Sequence, residues 1–460
     1  MANHTNDPSS LTSDRTEFSR DVSLFGGISI LAGIMIGSGV FYLGSYVLIR
    51  SGMSIGLALL VWIIGGLVTL LSGLCYAELG TMMPKAGGGY VYLREAFGDR
   101  VAYMSGMSTF ILGSSGSIAG LAIAFPEALS SLIPLTPLQS KLIAVGSVVL
   151  LTAVNYCGVK FGAVIQNIFM VGKLIPLVII IVCGIAMGTQ TPDLTPVPAG
   201  VTSIGEILSM VAFAVVATLW AFEGWTNLNT ISEEIKDPKR NIPRAIIISI
   251  LAVTALYVVF NFAIYRVLSP EEISAHIAAG DYFLGTAAVN SLFGEYGKVF
   301  VGVAMSVAIF GALNGCVMVF PRTYYAMAQD GMFFPSFTRL HPKYHTPSGA
   351  ILASMVVSCI LIFFQNLDQL TSLVVFSGMI FKSLTFAAVI VFRKKYPDMN
   401  RPYKVWGYPY AVYLIILIMV GLCINTLLED PVTSLIGLVV PLFGLAVYEV
   451  QNRRKKSADR

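Results

Sequence analysis

Apolar residues recur from Leu24 to Tyr448 in long runs parted by short polar breaks. A helix that crosses a bilayer needs about 20 consecutive apolar residues. Twelve runs are predicted to do so, at 23–46, 54–80, 90–125, 139–157, 162–188, 205–231, 244–267, 293–328, 348–364, 368–392, 408–427 and 432–449. We number them spans 1 to 12. Lys and Arg collect in alternate breaks, among them Lys85 and Arg94, Lys160, Lys236 to Arg244, Arg339 and Lys343, Arg393 to Lys404, and the tail Arg453 to Lys456. The positive-inside rule places those breaks and both termini in the cytoplasm. A missed or invented span would put basic breaks on opposite sides, so twelve is self-consistent. The longest break on the other side, 268–294, has room for a short surface helix but not for a domain.

Composition narrows the class. Of 460 residues, 56% are hydrophobic and 12% charged, against roughly 25% charged in a soluble domain. The expectation is an all-α integral protein of the cell membrane, plasma or inner, with its first run retained as a helix. The six cysteines lie in apolar segments and read as packing residues, which argues against a disulfide framework or a metal site. All four histidines, His4, His276, His341 and His345, fall outside the spans, so no converging catalytic set points to an enzyme. No motif calls for a cofactor. The basic clusters are short and juxtamembrane, which suits anionic lipid and not nucleic acid.

Two spans are interrupted. In span 1, "GIMIGSGV" carries Gly33, Gly37 and Gly39, and each glycine costs about 1 kcal/mol relative to alanine inside a helix. In hydrocarbon, unwound backbone is tolerated only against a cavity or within protein. One reading is therefore a helix break over a site, and the other is close helix packing through Gly33 and Gly37. Span 6 reads "LWAFEGWTNLN", with Glu223 inside it; an ionised group there needs a cavity or a partner. If spans 1–5 and 6–10 are repeats, these two spans hold equivalent places in each, and five spans per repeat make the repeats inverted. Paired interruptions point to a midplane site, where freed N–H groups and helix dipoles can hold an anion. The expected organisation is a tail at 1–22, repeats at 23–188 and 205–392, spans 11 and 12 within 405–450, and a tail at 451–460. In span 5, Lys173 lies about eleven residues from the helix start, roughly half the membrane thickness at 1.5 Å per residue. An ammonium there can supply the charge of a sodium ion. Lys382 in span 10 is a second intramembrane cation.

"GIMIGSGVF", "YAELGTMMPKAGGGYVYLREAFG" and "EEIKDPKRNIPRAI" together resemble the amino acid-polyamine-organocation (APC) superfamily. Within it the chain is most similar to the L-amino acid transporter (LAT) family, the light subunits of animal heteromeric exchangers, in a bacterial-type form like the alanine-serine-cysteine exchangers. The resemblance implies the LeuT-type fold of 5+5 inverted repeats, discontinuous spans 1 and 6, and sodium-independent exchange of amino acids. It implies that backbone donors of Gly37, Ser38 and Gly39 take the substrate carboxylate, and that Met35 offers its carbonyl to the ammonium with carbonyls near Trp220, Ala221 and Glu223. Trp220 matches an aromatic residue that closes over the substrate. Lys173 matches a lysine that bridges span 1 to span 8, where Ser306 and Asn314 are two candidate partners. Lys382 has no counterpart role. Relatives usually carry a small or shorter acidic residue where this chain has Glu223, which can trim the pocket, contact a cation, take up a proton, or pair with a basic side chain. In "DPKRNIP", Pro238 and Pro243 are expected to fix the turn between spans 6 and 7. The break after span 3, "PEALSSLIPLTPLQS", lacks the cysteine that links animal light subunits to a glycoprotein, so no disulfide-linked subunit is expected. The function expected is alternating-access exchange of small neutral L-amino acids such as alanine, serine and cysteine. A proton-coupled symporter is the alternative, and a non-transporting sensor is a third and less favoured one.

Overall fold

The structure, a computed structural model, describes residues 18–37, 39–130, 132–364 and 367–458. It is all-helical: among the described residues extended backbone pairs only in two isolated bridges, Val22 with Ile235 and Ala86 with Ile231.

Span 1 forms α1 (Leu24–Met35) and α2 (Gly39–Arg50), bent by 51° relative to each other. Span 2 is α3 (Ile55–Met82), started by the Ser54 side chain, which accepts from Leu57 N–H. The turn to span 3 uses Gly87 and Gly88 at positive φ, +105° and +53°, where a side chain would be strained. Span 3 is then assembled from α4 (Gly89–Phe97), α5 (Asp99–Ser108), a π-helical turn at Thr109–Ser114 and α6 (Ser115–Ser130). Spans 4 and 5 are α7 (Pro137–Tyr156) and α8 (Val159–Met187). Span 6 is α9 (Ile204–Ala221), a turn, and the single-turn α10 (Asn227–Thr230).

Span 7 is α11 (Pro238–Val267). It corrects the expected turn: Pro238 is the first helical residue, where a missing N–H costs little, but Pro243 lies inside the helix, where it has no N–H to donate to the Lys239 carbonyl. The following break holds two helices, α12 (Pro270–Ala278) and α13 (Leu284–Phe293). Span 8 is divided into α14 (Glu295–Val319) and α15 (Pro321–Gln329), because Pro321 cannot donate to the preceding turn. Then follow α16 (Ser348–Phe364), α17 (Leu367–Lys395), α18 (Tyr410–Glu429) and α19 (Pro431–Ala458). The last helix runs on through most of the tail expected at 451–460.

Among the described residues, ten helices are long and apolar enough to cross a membrane, and the α1–α2 pair brings the number to eleven. α16 is shorter, at 17 residues, about 25 Å. The outer faces are apolar. On α8, Phe161, Val164, Ile168, Val171, Ile175, Val178 and Val182 are exposed, a spacing of three and four that lines one side of a helix. The opposite side of α8 buries Gln166, Met170, Lys173, Leu177 and Ile180. Against hydrocarbon this is the stable arrangement, with apolar side chains outward and polar ones inward. α1 lies at the centre, packed on α8, α11 and α14, and α11 also runs along α3.

Candidate functional site

The break in α1 follows from its hydrogen bonds. In a continuous helix Gly37 N–H would donate to Gly33 O, but it donates to Met35 O at 2.9 Å. The Gly33 carbonyl is thus left without its helical donor, and α2 restarts at Gly39 with its first N–H groups lacking a partner inside the helix. The break in span 6 lies alongside. Gly224, at φ +121°, occupies the turn after α9, and a Cβ on it would stand 2.6 Å from Ile34 Cγ2. Only glycine lets the two breaks approach this closely. A Cβ on Gly39 would likewise meet Leu43 Cδ1 at 3.0 Å and the Ala221 Cα at 3.3 Å.

One cavity lies between the breaks. It is lined by Met35, Gly37, Gly39, Trp220, Ala221 and Glu223, together with Ile34, Gly224 and Asn227, by Ser117 and Leu121 of α6, and by Cys316 and Phe320 near the end of α14. Six of the seven residues expected to hold substrate therefore share one lining. The seventh, Ser38, lies outside the described residues. A second, larger cavity adjoins the first through Glu223, Asn227 and Phe320 and extends to the α3–α4 turn at Gly87 and Gly89. The π-helical turn forms part of its wall, at Thr109, Gly113 and Ser114.

Lys173 is fully buried. Its ammonium donates to Gly33 O at 2.6 Å, Ile36 O at 2.8 Å and Ala308 O at 2.9 Å. An ammonium has three donors, and all three are used on carbonyls. Two of those carbonyls belong to the break in span 1, so Lys173 supplies the hydrogen bonds that unwinding removed. The third ties α8 to α14. Gly311 makes room for this, since a Cβ there would stand 3.2 Å from Lys173 Cε and 2.7 Å from Phe169 Cβ.

Neither candidate partner on span 8 takes the lysine. Ser306 Oγ donates to Gly302 O of its own helix at 2.8 Å, as hydroxyls in helices commonly do. Asn314 donates to Gln166 Oε1 at 3.0 Å and accepts from Asn155 Nδ2 at 3.0 Å. It belongs to an amide network two turns along α8, where Gln166 also donates to Ser29 O at 3.4 Å.

Two further contacts carry the site. Tyr257 of α11 places its hydroxyl 2.7 Å from Met35 O and 2.9 Å from Ala221 O, one carbonyl from each break. A phenol has one proton to donate, so it serves the two carbonyls in turn, and Met35 O keeps a lone pair for another donor. No signal in the sequence separated this tyrosine from the other nineteen. Glu223 takes the last of its four expected roles: its carboxylate accepts from Lys382 Nζ at 2.6 Å. The Lys382 ammonium also lies 5.7 Å from the centre of the Trp225 ring, within the range of cation–π attraction.

The family model for amino acid permeases matches residues 22–446, which is nearly the whole bundle. The chain belongs to this amino acid permease family. Among its relatives is the serine/threonine exchanger of Bacillus subtilis, 34% identical over 442 residues, covering 95% of this chain and 98% of the relative. The mouse large neutral amino acids transporter small subunit 2 is 33% identical, covering 96% of this chain and 85% of its own length. The mouse Asc-type amino acid transporter 1 is 31% identical over 95% of this chain and 82% of its own. The permease is thus a multi-pass membrane protein of the APC superfamily, similar to LAT-family transporters, and amino acid transport is its function class. The family is one of transporters and not of enzymes.

Proposed function

We propose that this permease exchanges small neutral L-amino acids, such as alanine, serine and cysteine, across the cell membrane without sodium. One observation carries the reading: a lysine ammonium, with all three donors on carbonyls, joins the broken first span to α14. A fixed cation there does what a bound sodium ion would do. It holds the freed carbonyls of span 1 against span 8 and is displaced only when span 1 moves. In this reading the N–H groups at Gly37, Ser38 and Gly39 hold the substrate carboxylate. Carbonyls of Met35 and of the span 6 break near Trp220, Ala221 and Glu223 face its ammonium, and Trp220 closes over it. The fold has twelve spans with both termini cytoplasmic and inverted repeats at 23–188 and 205–392, and it works without a disulfide-linked subunit. The exchange activity named for the bacterial relative supports the antiport part of the proposal.

A proton-coupled symporter is the rival. It is favoured by one fact, that Lys173 is buried among carbonyls with no carboxylate bonded to it among the described residues, as a group that must lose a proton would be. The test is uptake of labelled L-alanine into liposomes holding the purified permease, at matched pH and without sodium. Uptake only when unlabelled amino acid is inside supports exchange. Uptake into empty liposomes that rises with an inward proton gradient supports the symporter.

A further inference from the structure

Glu223 lines the cavity at the breaks, the second cavity beside it, and a third, small one between α9, α3 and α18. Lys382 lines the latter two. Among the residues that line these three cavities, Glu223 and Lys382 are the only Asp, Glu, Lys or Arg. Both side chains are partly open, 24% and 15% exposed, so they meet whatever occupies the space. Lys173, by contrast, is sealed from it.

We propose that the Glu223–Lys382 ion pair is the charge filter of the site, keeping the side-chain end of the cavity neutral and so restricting substrates to uncharged side chains. The proposal rests on the reading that the cavity at the breaks holds an amino acid. An acidic side chain entering beside Glu223 meets a carboxylate already engaged at 2.6 Å. A basic one meets the ammonium of Lys382. Either must part the pair, and a charge left without its partner inside the protein is costly. Neutral side chains leave it closed. Specificity then comes as much from what is rejected as from what is bound, and each half of the pair alone would favour the opposite charge.

The experiment is competition against labelled L-alanine exchange in liposomes, using L-aspartate and L-2,4-diaminobutyrate, whose charged groups are close to the backbone. Neither should compete in the native permease. With Glu223→Gln, aspartate should gain at least about tenfold as a competitor, a difference of ~1.4 kcal/mol. With Lys382→Met, diaminobutyrate should gain by a similar factor. The swapped double variant, Glu223→Lys with Lys382→Glu, restores a neutral pair and should exclude both charged probes again, whatever its rate of alanine exchange. Single variants that exchange alanine yet still exclude both probes would overturn the filter and leave the pair as a tie between span 6 and α17. Should a single variant fail to fold, the swap decides: admission of either charged probe there overturns the proposal. Absence of alanine exchange in the native permease would instead defeat the reading of the site on which the filter rests.

Discussion

Lys173 and Lys382 both point into the bundle, and they are held in opposite ways. Lys173 is fully buried, and among the described residues its hydrogen-bond partners are neutral, three carbonyls at 2.6 to 2.9 Å. Lys382 faces open space and has a carboxylate. A buried charge needs compensation, and here one is compensated by broken backbone and the other by an opposite charge. The first arrangement makes the lysine part of the break in span 1, so in the proposed mechanism it responds to movement there. The second makes it part of the wall, so it responds to what occupies the cavity. On the two proposals above, coupling and selectivity fall to different cations.

Removing Lys173 should have the largest effect. Lys173→Ala is expected to lower alanine exchange at least ~100-fold, about 2.7 kcal/mol of barrier, while the melting temperature falls only modestly because a buried water can fill the vacated space and donate to the freed carbonyls. A variant that loses its fold as fully as its transport would reduce Lys173 to a structural tie. Gly39→Val comes next: its side chain fills the junction of the breaks, so a ligand-induced thermal shift with L-alanine should vanish in a folded protein. Tyr257→Phe removes one shared hydroxyl, worth about 0.5–1.5 kcal/mol, and exchange should fall about two- to tenfold. Asn314→Leu leaves Asn155 and Gln166 without their amide partner and should cost stability, on the order of 1–3 kcal/mol, with less effect on exchange than Lys173→Ala. Ser306→Ala should be smallest, changing exchange less than about twofold, since its hydroxyl bonds within its own helix.

Much of this was legible in the sequence. The span at 348–364 coincides with α16, and the triple glycine located the break in span 1. Depth alone marked Lys173, because no lysine eleven residues into an apolar helix reaches water easily. Its partners were not legible, since every residue has a carbonyl and side-chain chemistry directs attention to Ser306 and Asn314 instead. The Glu223–Lys382 contact spans 159 positions, and no local spacing rule links residues that far apart. Tyr257 shares the buried face of α11 with Val253, Phe260 and Ile264, a pattern that reads as core. The π-helical turn in span 3 was not legible either, since its Gly113 and Ser114 weaken a helix without specifying how it is rewound.

In the proposed mechanism Lys173 stands where sodium would otherwise be needed to couple the broken span to the rest of the bundle. The most direct measurement compares L-alanine exchange by the native permease and by Lys173→Ala across sodium concentrations from zero upward, in the same liposomes. Native exchange should be flat in sodium, and the folded variant should stay inactive throughout. Native exchange that requires sodium, or a Lys173→Ala variant that exchanges alanine at the native rate, would contradict it.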